Sequence, residues 1–163
     1  VTLHRPSNVD DPEPLRGIFE ALTEISRKIP VVFPIHPRTR KMFESSGLLS
    51  GVSNDSRMLL TEPLGYLDFL GLTARAKLVL TDSGGIQEET TVLGVPCLTM
   101  RFNTERPVTI TEGTNRLVGN QREKILEAAA EVLEGRFPQG RIPELWDGKA
   151  AERIADILAE KMG

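Results

Sequence analysis

Several features that would define a protein class are missing from this 163-residue sequence. Cys97 is its only cysteine, which excludes a disulfide within the chain and suits a reducing compartment, so we expect a cytoplasmic protein. One cysteine and two well-separated histidines make no metal-ligand set, and we expect no metal. No apolar run approaches the roughly 18 residues that span a bilayer. The net charge of -3 includes no basic block, which argues against a nucleic-acid partner.

The composition that remains is that of a globular domain. Hydrophobic residues make up 39% and charged residues 26%, and the length suits one domain rather than two. Residues Val1–His4 have the pattern of a strand end without an initiator methionine. This start predicts a fragment of a longer protein, cut near a domain boundary.

Short apolar runs alternate with helical patterns along the whole chain. The runs lack polar alternation, which is typical of strands buried on both faces, and they are Val1–Leu3, Val31–Ile35, Met58–Leu60, Leu78–Thr81, Cys97–Met100 and Arg116–Val118. The predicted helices are Pro12–Ile29, Arg40–Leu49, Tyr66–Ala76, Gly85–Leu93, Gln121–Leu133 and Lys149–Lys161. Gly135–Gly148 is predicted as a surface loop. This alternation predicts a Rossmann-like α/β domain, in which helices cover both faces of a parallel sheet of about six strands.

Ligands of such sheets bind beyond the carboxyl ends of the strands, which directs attention to Thr81-Asp82-Ser83-Gly84-Gly85. Two glycines let a ligand approach the backbone, and the N–H groups of a helix start suit an anion. The segment is neither the Rossmann fingerprint nor a P-loop, and ordinary turn chemistry is the competing interpretation.

Two carboxylates, Glu88 and Glu89, follow on the first turns of the next helix. They either stabilise the helix dipole or reach ribose hydroxyls one turn beyond a phosphate. Adjacent helical residues diverge by about a hundred degrees, so at most one of them faces a ligand.

His4-Arg5 and His36-Pro37 each follow a strand directly at this edge of the sheet. An imidazole can transfer protons near neutral pH and an arginine can clamp a diphosphate, although a lone histidine is more often structural. Arg101 and Arg106 border a loop that is either a solvated surface or a nucleotide contact. Phe69 could stack on a base, but its helical pattern favours the core.

Taken together, the motifs resemble a known family. They are Val1-Thr-Leu-His-Arg5, Pro34-Ile-His-Pro37, Thr81-Asp-Ser-Gly-Gly-Ile-Gln-Glu-Glu89, Arg101-Phe-Asn-Thr-Glu-Arg-Pro107 and Glu112-Gly-Thr-Asn-Arg-Leu-Val-Gly119. In this order, over nearly the whole chain, they are similar to the C-terminal domain of the non-hydrolysing UDP-N-acetylglucosamine 2-epimerases. That family has the GT-B fold, two Rossmann-like domains with the active site between them. The resemblance implies that residues 1–163 are the UDP-binding domain and that the N-terminal domain is absent.

The resemblance also implies a role for each candidate residue. Ser83, Gly84 and Gly85 would hold the UDP phosphates, Glu89 rather than Glu88 the ribose, and Phe69 the uracil. Arg106 and His4 would line the diphosphate and sugar region, with His4 as the catalytic candidate and Arg5 as a further UDP contact. His36 would help to bind a second, activating sugar nucleotide.

The implied reaction interconverts UDP-N-acetylglucosamine and UDP-N-acetylmannosamine by elimination and re-addition of UDP, without a cofactor. The family's catalytic carboxylates lie in the N-terminal domain, and a homodimeric parent is expected. Where the family commonly has Arg-Glu-Asn after His-Arg, this chain has Pro6-Ser7-Asn8, which leaves an Arg and a Glu missing from the mouth of the site. The alternatives are the UDP-sugar domain of a GT-B glycosyltransferase and a sugar-nucleotide sensor without turnover.

Overall fold

A computed structural model describes residues 1–48 and 57–162, so the end of the predicted helix Arg40–Leu49 lies outside the described residues. Five strands are assigned: β1 Val31–Pro34, β2 Met58–Thr61, β3 Val79–Thr81, β4 Cys97–Thr99 and β5 Asn115–Leu117. The eight helices of this part are α1 Pro6–Val9, α2 Pro12–Lys28, α3 Pro37–Ser45, α4 Tyr66–Thr73, α5 Gly84–Leu93, α6 Pro107–Thr111, α7 Arg122–Leu133 and α8 Ala150–Met162.

All strand pairs are parallel, as the alternation predicted. β1 pairs with β2, and β3, β4 and β5 form a second sheet in that order. Residues 1–3, predicted as a strand, are not assigned as one, so five strands replace the expected six. Their backbone still bridges the sheets, because the Val1 nitrogen donates to the Val32 carbonyl at 2.8 Å and the Thr2 N–H to the Leu80 carbonyl at 3.0 Å.

With residues 1–3 counted, the spatial order is β2, β1, residues 1–3, β3, β4, β5. In chain order this is 3-2-1-4-5-6, the order of doubly wound nucleotide-binding domains. The direction of winding reverses between residues 1–3 and β3. Ligands of this architecture bind at such a reversal, and the segments that leave the sheet there begin with His4 and Asp82.

The core forms where the apolar stripe of α2 meets the sheet and α7. The α2 stripe consists of the buried side chains Leu15, Ile18, Phe19, Leu22 and Ile25, at the spacing of one helical face. Each fully buried aliphatic side chain of this kind contributes roughly 1.5–3 kcal/mol. Phe43 of α3 joins the cluster in edge-to-face contact with Phe19, at 5.0 Å between ring centroids. This packing fixes the strands whose carboxyl ends carry the candidate residues.

Three helices begin at prolines that were not predicted as helix starts. α1 and α6 were not predicted, and α3 begins at Pro37 rather than at Arg40. Proline suits the first helical position because its fixed φ matches the helix and its missing N–H would have no partner there. In α3 the side chain of His36 supplies the cap, since its Nδ1 accepts from the Arg38 N–H at 3.2 Å.

The predicted loop between α7 and α8 is tied to the domain at its middle. Arg141 N–H donates to the Glu112 carbonyl at 2.7 Å. The backbone of Gly140 lies so close to Gly113 that a β-carbon there would stand 2.1 Å from the Gly113 carbonyl oxygen. α8 then follows with an apolar stripe, but none of its side chains is buried. Within the described ranges, no helix has the length and apolarity needed to cross a membrane.

Candidate functional site

A buried carboxylate, Asp82, organises the edge of the sheet where the winding reverses. Its side chain is fully buried and accepts the Arg5 N–H at 2.8 Å, the His4 N–H at 3.0 Å and the Asn8 amide at 3.2 Å. The His4 Nδ1 lies 3.1 Å from its other oxygen. Asp82 therefore holds the turn after residues 1–3 and, with it, the imidazole of His4. From the sequence, Asp82 was predicted only as part of the turn before α5, and its contacts with residues 4–8 were not expected.

The charge state of Asp82 determines which nitrogen of His4 carries a proton. Burial alone would raise the pKa of this carboxyl, but the His4 imidazole and the Arg5 and His4 N–H groups outweigh burial and hold the pKa below its usual value. An ionised carboxylate only accepts hydrogen bonds, so Nδ1 of His4 must donate to it. In the neutral imidazole, Nε2 is then left as a proton acceptor.

The start of α5 lies beside this pair and presents backbone donors. Ser83 is the N-cap residue, but its side chain makes no cap hydrogen bond, and its N–H donates to the Thr81 hydroxyl at 3.0 Å. The next three N–H groups, of residues 84–86, have no intrahelical acceptor, as at any helix start. No acidic residue lies in the first turn. A β-carbon at Gly84 or Gly85 would meet nothing within 4 Å, so a ligand can approach these N–H groups.

A cavity of about 250 Å³ opens between residues 2–4, β1 and the start of α5. Its walls bring together four predicted site residues, which are His4, His36, Phe69 and Ser83. The rings of His4 and His36 stand 6.3 Å apart. Phe69 is half-buried at this wall, between the core position favoured by its pattern and the open base contact implied by the resemblance. His36 is exposed and has the structural task of capping α3, whatever else it binds.

Glu88 and Glu89 diverge from α5 as helix geometry requires. Glu88 pairs with Arg106, with 2.8 Å between Oε1 and Nε. Both carboxylates line a second groove, of about 390 Å³, away from the cavity that holds His4. Burial, then the charge of Glu88, raises the pKa of Glu89. Glu89 lies five residues beyond Gly84, roughly 7.5 Å along the helix axis, so one bound nucleotide could span both.

The remaining arginines differ in whether a carboxylate already neutralises them. Arg101 donates to both oxygens of Glu105, at 3.0 and 2.8 Å, which closes the loop on itself. Arg106 is held by Glu88 and is otherwise exposed. Nε of Arg5 is buried and has no hydrogen-bond partner in the ranges that the structure describes. Of the predicted cations, Arg5 is thus the one whose guanidinium retains an unused buried donor.

Buried residues that were not predicted from the sequence connect the loop after β3 with the loop after β4. Gln87, on the turn between Ser83 and Glu88, is fully buried and hydrogen-bonded to Thr104 and Asn115. No local sequence pattern identified this role, because Gln87 lies among residues that were all candidates for ligand binding. In residues 1–48 and 57–162, no three His, Cys, Asp or Glu side chains cluster to hold a metal.

Comparison with known proteins shows that the chain is similar to members of one family. The UDP-N-acetylglucosamine 2-epimerase family model matches residues 1–159. The UDP-N-acetylglucosamine 2-epimerase of Methanocaldococcus jannaschii is 43% identical over 97% of this chain and 43% of its own length. A UDP-2,3-diacetamido-2,3-dideoxy-D-glucuronate 2-epimerase of Pseudomonas aeruginosa is 45% identical over 98% of this chain and 43% of its own length.

Solved structures agree. The M. jannaschii epimerase in complex with UDP-GlcNAc and UDP superposes with a TM-score of 0.83 at 42% identity, over 98% of this chain and 44% of that one. The Neisseria meningitidis UDP-GlcNAc 2-epimerase bound to UDP-GlcNAc gives a TM-score of 0.81 at 34% identity, over 98% of this chain and 43% of that one. The chain thus spans less than half the length of these relatives. The family match covers residues 1–159, and the sheet order agrees with it. This chain therefore belongs to the UDP-N-acetylglucosamine 2-epimerase family.

Proposed function

We propose that residues 1–163 form one domain, the UDP-binding half of an enzyme that interconverts UDP-N-acetylglucosamine and UDP-N-acetylmannosamine. The observation that carries the proposal is the pairing of His4 with buried Asp82 beside the uncapped start of α5. An imidazole of fixed tautomer and a row of backbone donors then face the same space. This combination suits proton transfer next to a diphosphate leaving group.

The domain's contribution to the reaction is electrostatic. As the anomeric C–O bond breaks, negative charge grows on the departing UDP, and donors already fixed in place stabilise that charge without reorganisation. The N–H groups of Gly84 and Gly85 are such donors, and Ser83 adds a hydroxyl. Arg106 and Arg5 add positive charge, Arg106 by exchanging Glu88 for phosphate. His4 then stabilises the leaving group or moves a proton through Nε2.

The nucleoside would contact both α4, which carries Phe69, and α5, which carries Glu89. Phe69, at the wall of the cavity, would contact the uracil, and Glu89 would accept hydrogen bonds from the ribose hydroxyls. Because the pKa of Glu89 is raised, ribose binding should weaken at a higher pH than it would with an ordinary glutamate. His36, exposed at the rim, is the candidate contact for a second, activating sugar nucleotide.

The rest of the enzyme would supply what this chain lacks. An N-terminal domain of a GT-B fold would close over the edge of the sheet and bring the catalytic carboxylates, and the parent would be a cytoplasmic homodimer. The coverage of less than half of each relative supports a missing partner domain. No nicotinamide or metal is needed, because elimination and re-addition of UDP require acid–base groups and a bound leaving group.

A second candidate substrate follows from the Pseudomonas relative. That protein is a UDP-2,3-diacetamido-2,3-dideoxy-D-glucuronate 2-epimerase, and its 45% identity is as high as that of the M. jannaschii enzyme. Offering both UDP-sugars to the full-length protein in competition distinguishes them by the ratio of kcat/KM. We expect UDP-N-acetylglucosamine to be preferred, and preference for the diacetamido sugar would reassign the substrate.

Binding to the domain tests the proposal directly. Calorimetric titration should rank UDP above UMP and UMP above uridine, because each phosphate adds contacts to the start of α5. Equal affinity for UDP and uridine would rule out a phosphate site there. A glycosyltransferase domain or a sensor would pass this test too, and turnover by the full-length protein separates those alternatives.

A further inference from the structure

Arg106 has both its backbone groups held by threonine hydroxyls. Its N–H donates to the Thr104 hydroxyl at 3.0 Å, and its carbonyl accepts from the Thr109 hydroxyl at 2.7 Å. The residue has φ -125° and ψ 59°, outside the helical and extended regions, although it immediately precedes α6. The direction in which its guanidinium leaves the backbone therefore depends on these two hydroxyls.

Both hydroxyls are anchored in turn to one buried amide pair. Thr104 donates to Oε1 of Gln87 at 2.6 Å, and Asn115 donates to the same oxygen at 3.0 Å and to the Thr109 hydroxyl at 3.1 Å. Asn115 is itself fixed in β5, since its Oδ1 accepts from the Thr99 hydroxyl at 2.6 Å. Gln87 and Asn115 are 0% and 5% exposed. A satisfied buried network of this kind is rigid, because any member that moves leaves a partner without a hydrogen bond.

The same glutamine also contacts the loop expected to bind phosphate. Nε2 of Gln87 donates to the Ser83 carbonyl at 3.2 Å, just before the N–H groups of α5. One side chain thus sets the loop after β3 and the loop after β4 at a fixed separation. These two segments supply three of the proposed diphosphate contacts, Gly84 and Gly85 on one and Arg106 on the other.

We propose that Gln87 and Thr104 are positioning residues, which hold Arg106 in register with the start of α5 so that both contact one diphosphate. The inference rests on the proposed function. It adds that the affinity for the diphosphate depends on a hydroxyl that need not touch the ligand. Thr104 carries the test because it is only half-buried, so its loss should leave the domain folded.

The experiment compares Thr104→Val with Thr104→Ser in the full-length protein. Valine has nearly the shape of threonine but no hydroxyl, whereas serine keeps the hydroxyl. Thr104→Val should weaken UDP binding about tenfold, the loss of a charge-assisted hydrogen bond, and leave uridine binding within twofold. Thr104→Ser should rescue UDP binding to within about twofold. Thr111→Val is the matched control, because its exposed hydroxyl contacts only the Pro107 carbonyl of its own helix.

A double-mutant cycle with Arg106→Ala tests whether Thr104 acts through that arginine. If it does, Thr104→Val should change UDP affinity less than twofold once Arg106 is gone. Equal weakening of uridine and UDP, or full additivity with Arg106→Ala, would overturn the inference and leave Thr104 a structural residue. Absence of UDP binding by the unaltered protein would instead overturn the proposed function, on which this inference depends.

Discussion

Replacement of Asp82 by asparagine should change the tautomer of His4 while leaving the domain folded. Two donors, the Arg5 N–H and the Asn8 amide, meet one oxygen of Asp82 at 2.8 and 3.2 Å. In Asp82→Asn the amide oxygen should take that position, because an NH₂ group there would face two donors. The new NH₂ then lies opposite Nδ1 of His4. It must donate to that nitrogen, which moves the imidazole proton to Nε2.

The cost to stability should be moderate. The His4 N–H reaches both oxygens of Asp82, at 3.1 and 3.0 Å, so it keeps an acceptor in the variant. What is lost is the charge of the carboxylate in a buried site, worth about 1–3 kcal/mol. For a domain of this size that corresponds to a fall of about 2–12 °C in Tm. A matched control is Asp10→Asn, whose surface pair with Arg38 contributes about 0–1 kcal/mol.

Two measurements follow the proton and its consequence. The chain has 2 histidines, so ¹⁵N spectra of the imidazoles can identify the protonated nitrogen of His4. In the full-length protein, turnover of Asp82→Asn should fall by roughly 10²–10⁴-fold, since Nε2 can no longer accept a proton. A variant with near-normal turnover and Nδ1 still protonated would refute the assigned role of Asp82.

The remaining predictions concern single side chains and the acid stability of the fold. His4→Ala in the full-length protein should lower kcat far more than Tm, and near-normal turnover with a large drop in Tm would make His4 a purely structural residue. Glu89→Ala should weaken UDP binding more than Glu88→Ala when both affinities are measured by calorimetry. The reason is that removing a carboxylate that binds the ribose removes charge-assisted hydrogen bonds of about 1.5–3 kcal/mol each. The reverse order would move the ribose contact to Glu88. Gly84→Ala should weaken UDP binding at unchanged Tm, since its β-carbon meets no protein atom but occupies the approach to the α5 N–H groups, while Gly71→Ala, equally open, should bind UDP normally. The pKa of Asp82 is depressed, so the stability it provides is complete above its usual value of 3.8 and is lost as the pH falls through the folded value. Urea unfolding should therefore show a steeper acid loss in the native protein than in Asp82→Asn.

Much of the architecture was readable from the sequence because it depends on local patterns. The stripe of α2 from Leu15 to Ile25 predicted its helix within one residue, and the parallel α/β class followed from the order of strands and helices. The late start of α3 and the missed helices α1 and α6 were avoidable. Each of these helices begins at a proline, which is a first-turn signal that the sequence contains.

The location of the candidate site could be predicted from the sequence, but the hydrogen bonds and ion pairs within it could not. That His4 and Ser83 lie at one edge follows from their positions after parallel strands. That Asp82 binds residues 4–8, 74 to 78 positions away, does not follow from any local pattern, and the same residue type in a turn more often caps a helix. The pairing of Glu88 with Arg106 and the amide network of Gln87 also join segments far apart in sequence. Such contacts are set by tertiary packing, so periodicity and turn chemistry cannot reveal them.

We propose that this domain belongs to an enzyme that removes and restores UDP on an N-acetylhexosamine. The most direct measurement is incubation of the full-length protein with UDP-N-acetylglucosamine in deuterated water, followed by NMR. We expect UDP-N-acetylmannosamine to appear and deuterium to enter C2 of both sugars, and we expect both changes to be lost in His4→Ala. Release of UDP with transfer of the sugar, or tight binding with no exchange at C2, would contradict it.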